Sequence, residues 1–167
     1  IFNRGVRFTH AQQEGVAVMQ VHEILRIKGT VLYTVVPSQS LDNAVATMAD
    51  LDVGSLVVME HGLMVGMLSF REVLRALRTA GGGWQTLTVA DVMQRDPATA
   101  HPDMEVDELR RLMLERHCRY LPIMEGDTLM GVLSFHDVAR ALLEEQSFEN
   151  RMLKSYIRDW PMDDASG

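Results

Sequence analysis

The segment GMLSFREVLRAL at positions 66–77 returns as GVLSFHDVARAL at positions 131–142, identical at eight of twelve positions. An internal repeat constrains a chain strongly, because one supersecondary unit must be able to pack against its own copy. The 65-residue offset runs upstream without a gap. SLVVME (55–60) lies over YLPIME (120–125), LDNAVATM (41–48) over VDELRRLM (106–113), Pro37 over Pro102 and Thr34 over Thr99. VHEIL (21–25) pairs with VADVM (89–93) after a slip of three residues. The expected organisation is a leader or appended segment over 1–18, repeat 1 over 19–80, a Gly-rich linker over 81–86, repeat 2 over 87–146, and a C-terminal helix and tail over 147–167. The first segment lacks the apolar stretch of a signal peptide.

Each repeat reads as β-α-β-β-α. A short extended run (32–36; 98–100) meets a proline, and Ser38 or Asp103 is placed to cap the helix that follows. In that helix Leu41, Val45 and Met48, matched by Val106, Leu109 and Met113, fall on one face. Two β-rich runs come next, joined by turns at Gly62 and at Gly126-Asp127. A final helix starts at Phe70 or Phe135. Such a unit leaves one apolar sheet face bare. The predicted fold is therefore α/β (α+β), with two repeats packed face to face through their sheets about a pseudo-two-fold axis. Twelve methionines against 6% aromatic residues read as adaptable core packing.

Several function classes find little support. A net charge of -7 argues against a nucleic-acid surface, although a few placed arginines can hold a small anion locally. No apolar run approaches the roughly 18 residues of a membrane span. The single cysteine, Cys118, excludes an intrachain disulfide. Beside an apolar run it reads as a small buried hydrophobe, and the natural compartment is the cytoplasm. His117 and Cys118 are adjacent, which on a strand would send their side chains to opposite faces. No Cys-x-x-Cys or His-x-x-x-His spacing supports a metal. The chain is expected not to be an enzyme and to require no metal.

The tandem pattern, each copy ending in Gly-apolar-apolar-Ser-x-x-acid and carrying an LPIM-like second strand, resembles a pair of cystathionine-β-synthase (CBS) domains, a Bateman module, over about residues 19–145. ILRIKG and the later FENRMLKSYI resemble the small stand-alone bacterial members. The resemblance implies a non-catalytic homodimer. It also implies adenosine-containing ligands (AMP, ADP, ATP, NAD or S-adenosylmethionine) in clefts between the repeats, and an energy or redox signal read by an effector in trans. Carried onto this chain, it implies one cleft of Ser134, His136 and Asp137 with Val36, Val53 and Gly54. The other joins Ser69, Arg71 and Glu72 to His101, Arg119 and Tyr120, and in each an acid holds the ribose hydroxyls. Lys28, in the loop before the first extended run, is within reach of a phosphate.

The residues themselves leave two roles open. Ser followed three positions later by an acid is a helix capping box. The same acid can accept two hydrogen bonds from a cis-diol, and the free amides of a helix start favour an anion. Glu72 departs from the family's Asp, and its extra methylene moves the carboxylate by more than about 1 Å. Two unequal sites are expected. Asp137 would form the better ribose seat, suited to AMP, and the Arg71–Arg119 cleft would suit the several phosphates of ATP or NAD. Gly54 reads either as a turn residue or as room for a base against the backbone. Arg75 and Arg140 read as solvated helix faces. The rival is a dimeric interaction scaffold with no physiological nucleotide. It would use 142–157 as a partner-binding helix with an apolar strip of Leu143, Met152, Leu153 and Ile157.

Overall fold

The computed structural model describes residues 18–29 and 31–158. The expected leader, apart from Val18, and the tail beyond Arg158 lie outside the described residues. Repeat 1 contributes β1 (Thr34–Val35), α2 (Leu41–Asp50), β2 (Ser55–Glu60), β3 (Leu63–Ser69) and α3 (Phe70–Ala80), and is preceded by α1 (Val21–Lys28). Gly81–Thr86 winds into a 3-10 helix and leads to α4 (Val89–Val92). Repeat 2 contributes α5 (Val106–Glu115), β4 (Tyr120–Glu125), β5 (Thr128–Ser134) and α6 (Phe135–Arg158).

The sheets repeat in detail. β1 pairs parallel with β2, and β2 pairs antiparallel with β3. In repeat 2 the parallel partner shrinks to one bridge, Ala100 to Ile123, beside the β4–β5 hairpin. The first hairpin turns on His61 and Gly62, both at positive φ as a type I′ turn requires. Each hairpin carries a bulge at the same place, between Val58 and Met59 and between Ile123 and Met124. The two sheets pack together, with β3 beside β5, as the bare apolar face of each unit demands.

The expected caps at Ser38 and Asp103 are not the ones used. Pro37-Ser38 and Pro102-Asp103 form turns, so each helix begins later. α2 is capped by Ser40, whose Oγ accepts the Asn43 amide at 3.2 Å. α5 follows Glu105, whose side chain makes no cap hydrogen bond.

Each core is completed by a helix that precedes the other repeat in sequence. The first core joins Val35, Leu41, Met48, Leu56 and Leu68 to Val89 and Met93, at either end of α4. The second joins Leu109, Met113, Leu121, Ile123 and Leu133 to Val21 and Ile24 of α1. This exchange explains why both copies of the opening string begin with glycine. A Cβ at Gly66 would lie 2.7 Å from the Gln94 carbonyl oxygen and 3.0 Å from Met93 Sδ. A Cβ at Gly131 would lie 2.8 Å from Leu25 Cδ2. In each repeat the bare glycine lets the exchanged segment close onto the sheet.

α6 runs unbroken to Arg158, so the last helix of repeat 2 and the C-terminal helix are one element. Among the described residues no helix is long and apolar enough to cross a membrane.

Candidate functional site at the junction of the repeats

The two Ser-x-x-acid segments open α3 and α6. In the first, the Ser69 amide and hydroxyl both donate to Glu72 Oε2, at 2.9 and 2.5 Å. In the second, the Ser134 amide donates to Asp137 Oδ2 at 2.8 Å, and the Asp137 amide donates to Ser134 Oγ at 3.1 Å. Both segments therefore serve as capping boxes. Each uses one carboxylate oxygen. Glu72 Oε1 and Asp137 Oδ1 make no hydrogen bond to the described residues. Capping thus leaves one acceptor oxygen on each acid for another partner.

Their surroundings differ. Glu72 is 7% exposed. Asp137 is half-buried and receives Lys28 Nζ at 2.7 Å, while the same ammonium donates to the Val132 carbonyl at 2.8 Å. Lys28 is the last residue of α1 and not a loop residue, so the exchanged helix carries this cation to the start of α6. Burial pushes the Asp137 carboxyl up. The Lys28 ammonium and the Ser134 amide and hydroxyl together outweigh it and hold the group below the ordinary aspartate value.

A cavity of about 370 Å³ lies where α3 begins, within the size range of small-molecule sites. Ser69, Phe70, Arg71 and Glu72 form one wall and His117–Tyr120 the other, with Met67, Leu74 and Gln94 between them. Five of the six residues inferred for this cleft, Ser69, Arg71, Glu72, Arg119 and Tyr120, are brought together here. His101 is not in this lining. Its Nδ1 accepts the Asp103 amide at 3.2 Å and stands 3.6 Å from the Asp103 carboxylate.

His117 and Cys118 do not take the opposite faces expected of a strand. They occupy the turn between α5 and β4, where His117 adopts φ 51, so strand alternation does not apply and both line the cavity. Burial pushes the Cys118 thiol above its ordinary value, against smaller pulls from a backbone hydrogen bond and from the charges of Arg116 and Arg71. Gln94 enters the wall through reciprocal backbone hydrogen bonds with Met67, at 2.8 and 3.0 Å. Sequence reasoning missed Met67, Phe70, Leu74, Gln94, His117 and Cys118 as lining residues. For Phe70 the signal was its place directly after Ser69. For His117 and Cys118 it was their place between a helix and a strand.

The residues inferred for the second cleft are distributed as follows. Ser134 and His136 line a neighbouring hollow with Met113, Leu114 and Phe135, and His117–Tyr120 form a wall common to both cavities. Gly54 lies under Tyr120. A Cβ there would fall 1.7 Å from Tyr120 Oη, 2.6 Å from Cζ and 3.2 Å from Phe70 Cε2. The missing side chain of Gly54 is thus replaced by the tyrosine of the other repeat. Val53 packs against the first core, and Val36 is half-exposed just after β1. Among the described residues no group of three or more His, Cys, Asp or Glu is placed to hold a metal ion.

Comparison with known proteins agrees with this architecture. The family model for the CBS domain matches twice, over residues 23–79 and 89–144. The CBS domain-containing protein YhcV of Bacillus subtilis is 32% identical over 119 residues, covering 71% of this chain and 84% of YhcV. A CBS-domain-containing protein of Agrobacterium tumefaciens superposes with a TM-score of 0.71 at 26% identity, covering 74% of this chain and 98% of that one. CBSX2, solved in complex with AMP, superposes with a TM-score of 0.64 at 26% identity, covering 76% of this chain and 98% of that one.

Proposed function

The chain belongs to the CBS domain family as a tandem pair of repeats, a Bateman module, and on that premise we propose that it is a sensor of an adenosine-containing ligand held between the repeats. CBS domain proteins are typically non-catalytic regulatory modules, and their pairs often bind adenosine ligands. The reading is carried by one observation: the junction cavity joins the capped start of α3 to Arg119 and Tyr120 of the other repeat. The AMP bound by the related CBSX2 supports an adenine ligand.

In this cavity Arg71 and Arg119 supply positive charge for a phosphate. Phe70 and Tyr120 supply aromatic faces for a base, and the second oxygen of Glu72 accepts from a ribose hydroxyl. Two arginines suit more than one phosphate, so ATP or NAD is the ligand proposed here. At Asp137 the Oδ1 oxygen is the ribose acceptor and Lys28 the neighbouring cation, a seat proposed for AMP. A ligand that touches both repeats favours one relative arrangement of them, which shifts the population that an effector in trans would read. The proposed sensor is a cytoplasmic homodimer. Phe70, Leu74 and Leu77 are exposed along α3 and offer an apolar surface for a second copy.

Thermal melts with millimolar AMP, ATP, NAD and S-adenosylmethionine test the reading. A ligand at about a hundred times its Kd stabilises the native state by about 2.7 kcal/mol. For a chain of this size that raises Tm by roughly 5–10 °C. Absence of any shift would sink the sensor and leave the dimeric scaffold. Calorimetry on Asp137→Ala separates the two seats. Unchanged AMP affinity would remove Asp137 from the ribose contact.

A further inference from the structure

The junction cavity does not end at the start of α3. A second hollow of about 340 Å³ lies between α3 and α4 and shares Arg71, Glu72 and Gln94 with the first. Those three residues form a threshold between two adjoining spaces. Beyond it stand Arg75 and Thr79 of α3 and Asp91 of α4, over a floor that includes the buried Ala76 and Met93. Arg71, Arg75 and Thr79 are spaced i, i+4 and i+8, so they form one row about 12 Å long on the helix.

The two spaces differ in chemistry. The first is walled by the aromatic rings of Phe70 and Tyr120. The second has no aromatic residue in its lining: Arg75 donates hydrogen bonds, Asp91 accepts them, and Gln94 can do both. Among the described residues the guanidinium groups of Arg71 and Arg75 have no hydrogen-bond or ion-pair partner. Asp91 is placed as Glu72 is. Its Oδ2 accepts the Thr88 amide at 2.8 Å and the Thr88 hydroxyl at 2.9 Å, and Oδ1 is left over. A row of phosphates suits this order only partway. Arg71 and Arg75 match a pyrophosphate. A third phosphate would be driven toward Asp91, like charge against like. A sugar in its place brings hydroxyl donors to the unused carboxylate oxygen.

We propose that the hollow between α3 and α4 is a second subsite for a dinucleotide, in which Arg71 and Arg75 hold the pyrophosphate and Asp91 accepts from the hydroxyls of the distal ribose. The adenosine half rests on the sensor reading. The second subsite narrows that reading, because it selects NAD over ATP for this cavity. It also gives Arg75 a role beyond that of a solvated helix face. A ligand of this length touches α3, α4 and the turn at 117–120 at once.

Calorimetry on the full chain with AMP, ADP, ATP and ADP-ribose tests it, because ADP-ribose is ADP extended by the distal sugar alone. ADP-ribose is expected to bind the wild type about tenfold or more tighter than ADP. ADP is expected to bind tighter than AMP, and ATP more weakly than ADP-ribose. Asp91→Asn keeps an oxygen for the Thr88 amide, and it is expected to cut the advantage of ADP-ribose over ADP to about threefold or less. Arg75→Gln, at an exposed position of α3, is expected to erase the advantage of ADP over AMP. The second subsite is overturned, with the sensor reading left standing, by any of three results: ADP-ribose no tighter than ADP, ATP tighter than ADP-ribose, or both variants keeping the wild-type preferences. Binding of none of the four nucleotides would overturn the subsite and the sensor reading together.

Discussion

Replacing Gly54 by Ala is expected to cost about 1–3 kcal/mol, the usual range for overpacking a filled site. The backbone is not the obstacle, because Gly54 does not stand at positive φ. The obstacle is Tyr120, whose Oη would be 1.7 Å and Cζ 2.6 Å from the new methyl carbon. Normal packing requires more than 3 Å, so the ring must move by over an ångström, away from a place also bounded by Phe70. In a Tyr120→Ala background two of the three close atoms are gone, and Phe70 Cε2 at 3.2 Å has room to adjust. There the same Gly54→Ala change should stabilise by about 0.4–1 kcal/mol, because alanine restricts the unfolded chain more than glycine does. The substitution therefore changes sign between backgrounds, with a coupling of about 1.5–4 kcal/mol. Urea unfolding of the four proteins in a double-mutant cycle measures it. Equal costs in both backgrounds, within about 0.5 kcal/mol, would show that Tyr120 is not what requires glycine at this position.

Further outcomes follow from the same geometry. Ser40→Ala should lower stability by about 0.5–2 kcal/mol through loss of the α2 cap, whereas Ser38→Ala should change it little; paired chemical melts decide between them. Lys28→Met should cost about 0.5–1 kcal/mol at neutral pH, since the Lys28 side chain is still 37% exposed and solvent screens the pair. The folded Asp137 carboxyl titrates below its unfolded value of about 3.9. The pair's contribution is therefore present above that value and lost as pH falls through the lower folded one, so the gap between wild type and Lys28→Met should close from pH 5 toward pH 2. A gap independent of pH in thermal melts would contradict the pairing. Cys118, with its thiol raised by burial, should react with iodoacetamide more slowly than a free thiol at pH 7.5, and mass spectrometry after timed labelling would expose a reactive cysteine if that is wrong.

What the sequence made legible was what local spacing controls. The 65-residue offset disclosed two copies of one unit, and the starts of α3 and α6 at Phe70 and Phe135 followed from the Ser-x-x-acid boxes. The caps of α2 and α5 were misplaced because the residues after each proline are used in a turn, a choice that proline chemistry permits but does not dictate. His117 escaped because a non-glycine residue at positive φ breaks the strand alternation on which the reading relied. The resemblance to CBS pairs, and not spacing, brought Ser69, Arg71 and Glu72 to Arg119 and Tyr120. The fit of Tyr120 over Gly54 is a contact between residues 66 positions apart, which one string of letters does not encode.

The exchange of α1 and α4 also sets an order in time. The first core is assembled from a continuous stretch, Val35 to Met93, and can close as soon as that stretch has been synthesised. The second draws Val21 and Ile24 from upstream of repeat 1 and Val138 from far downstream. At ribosomal rates of about 5–20 residues per second, α1 must wait on the order of ten seconds for its partners. Of the described helices, α1 is made first and is among the last to be seated, and until then its apolar stripe is exposed. The Lys28–Asp137 pair forms only when that wait ends, so it reports closure of the second core.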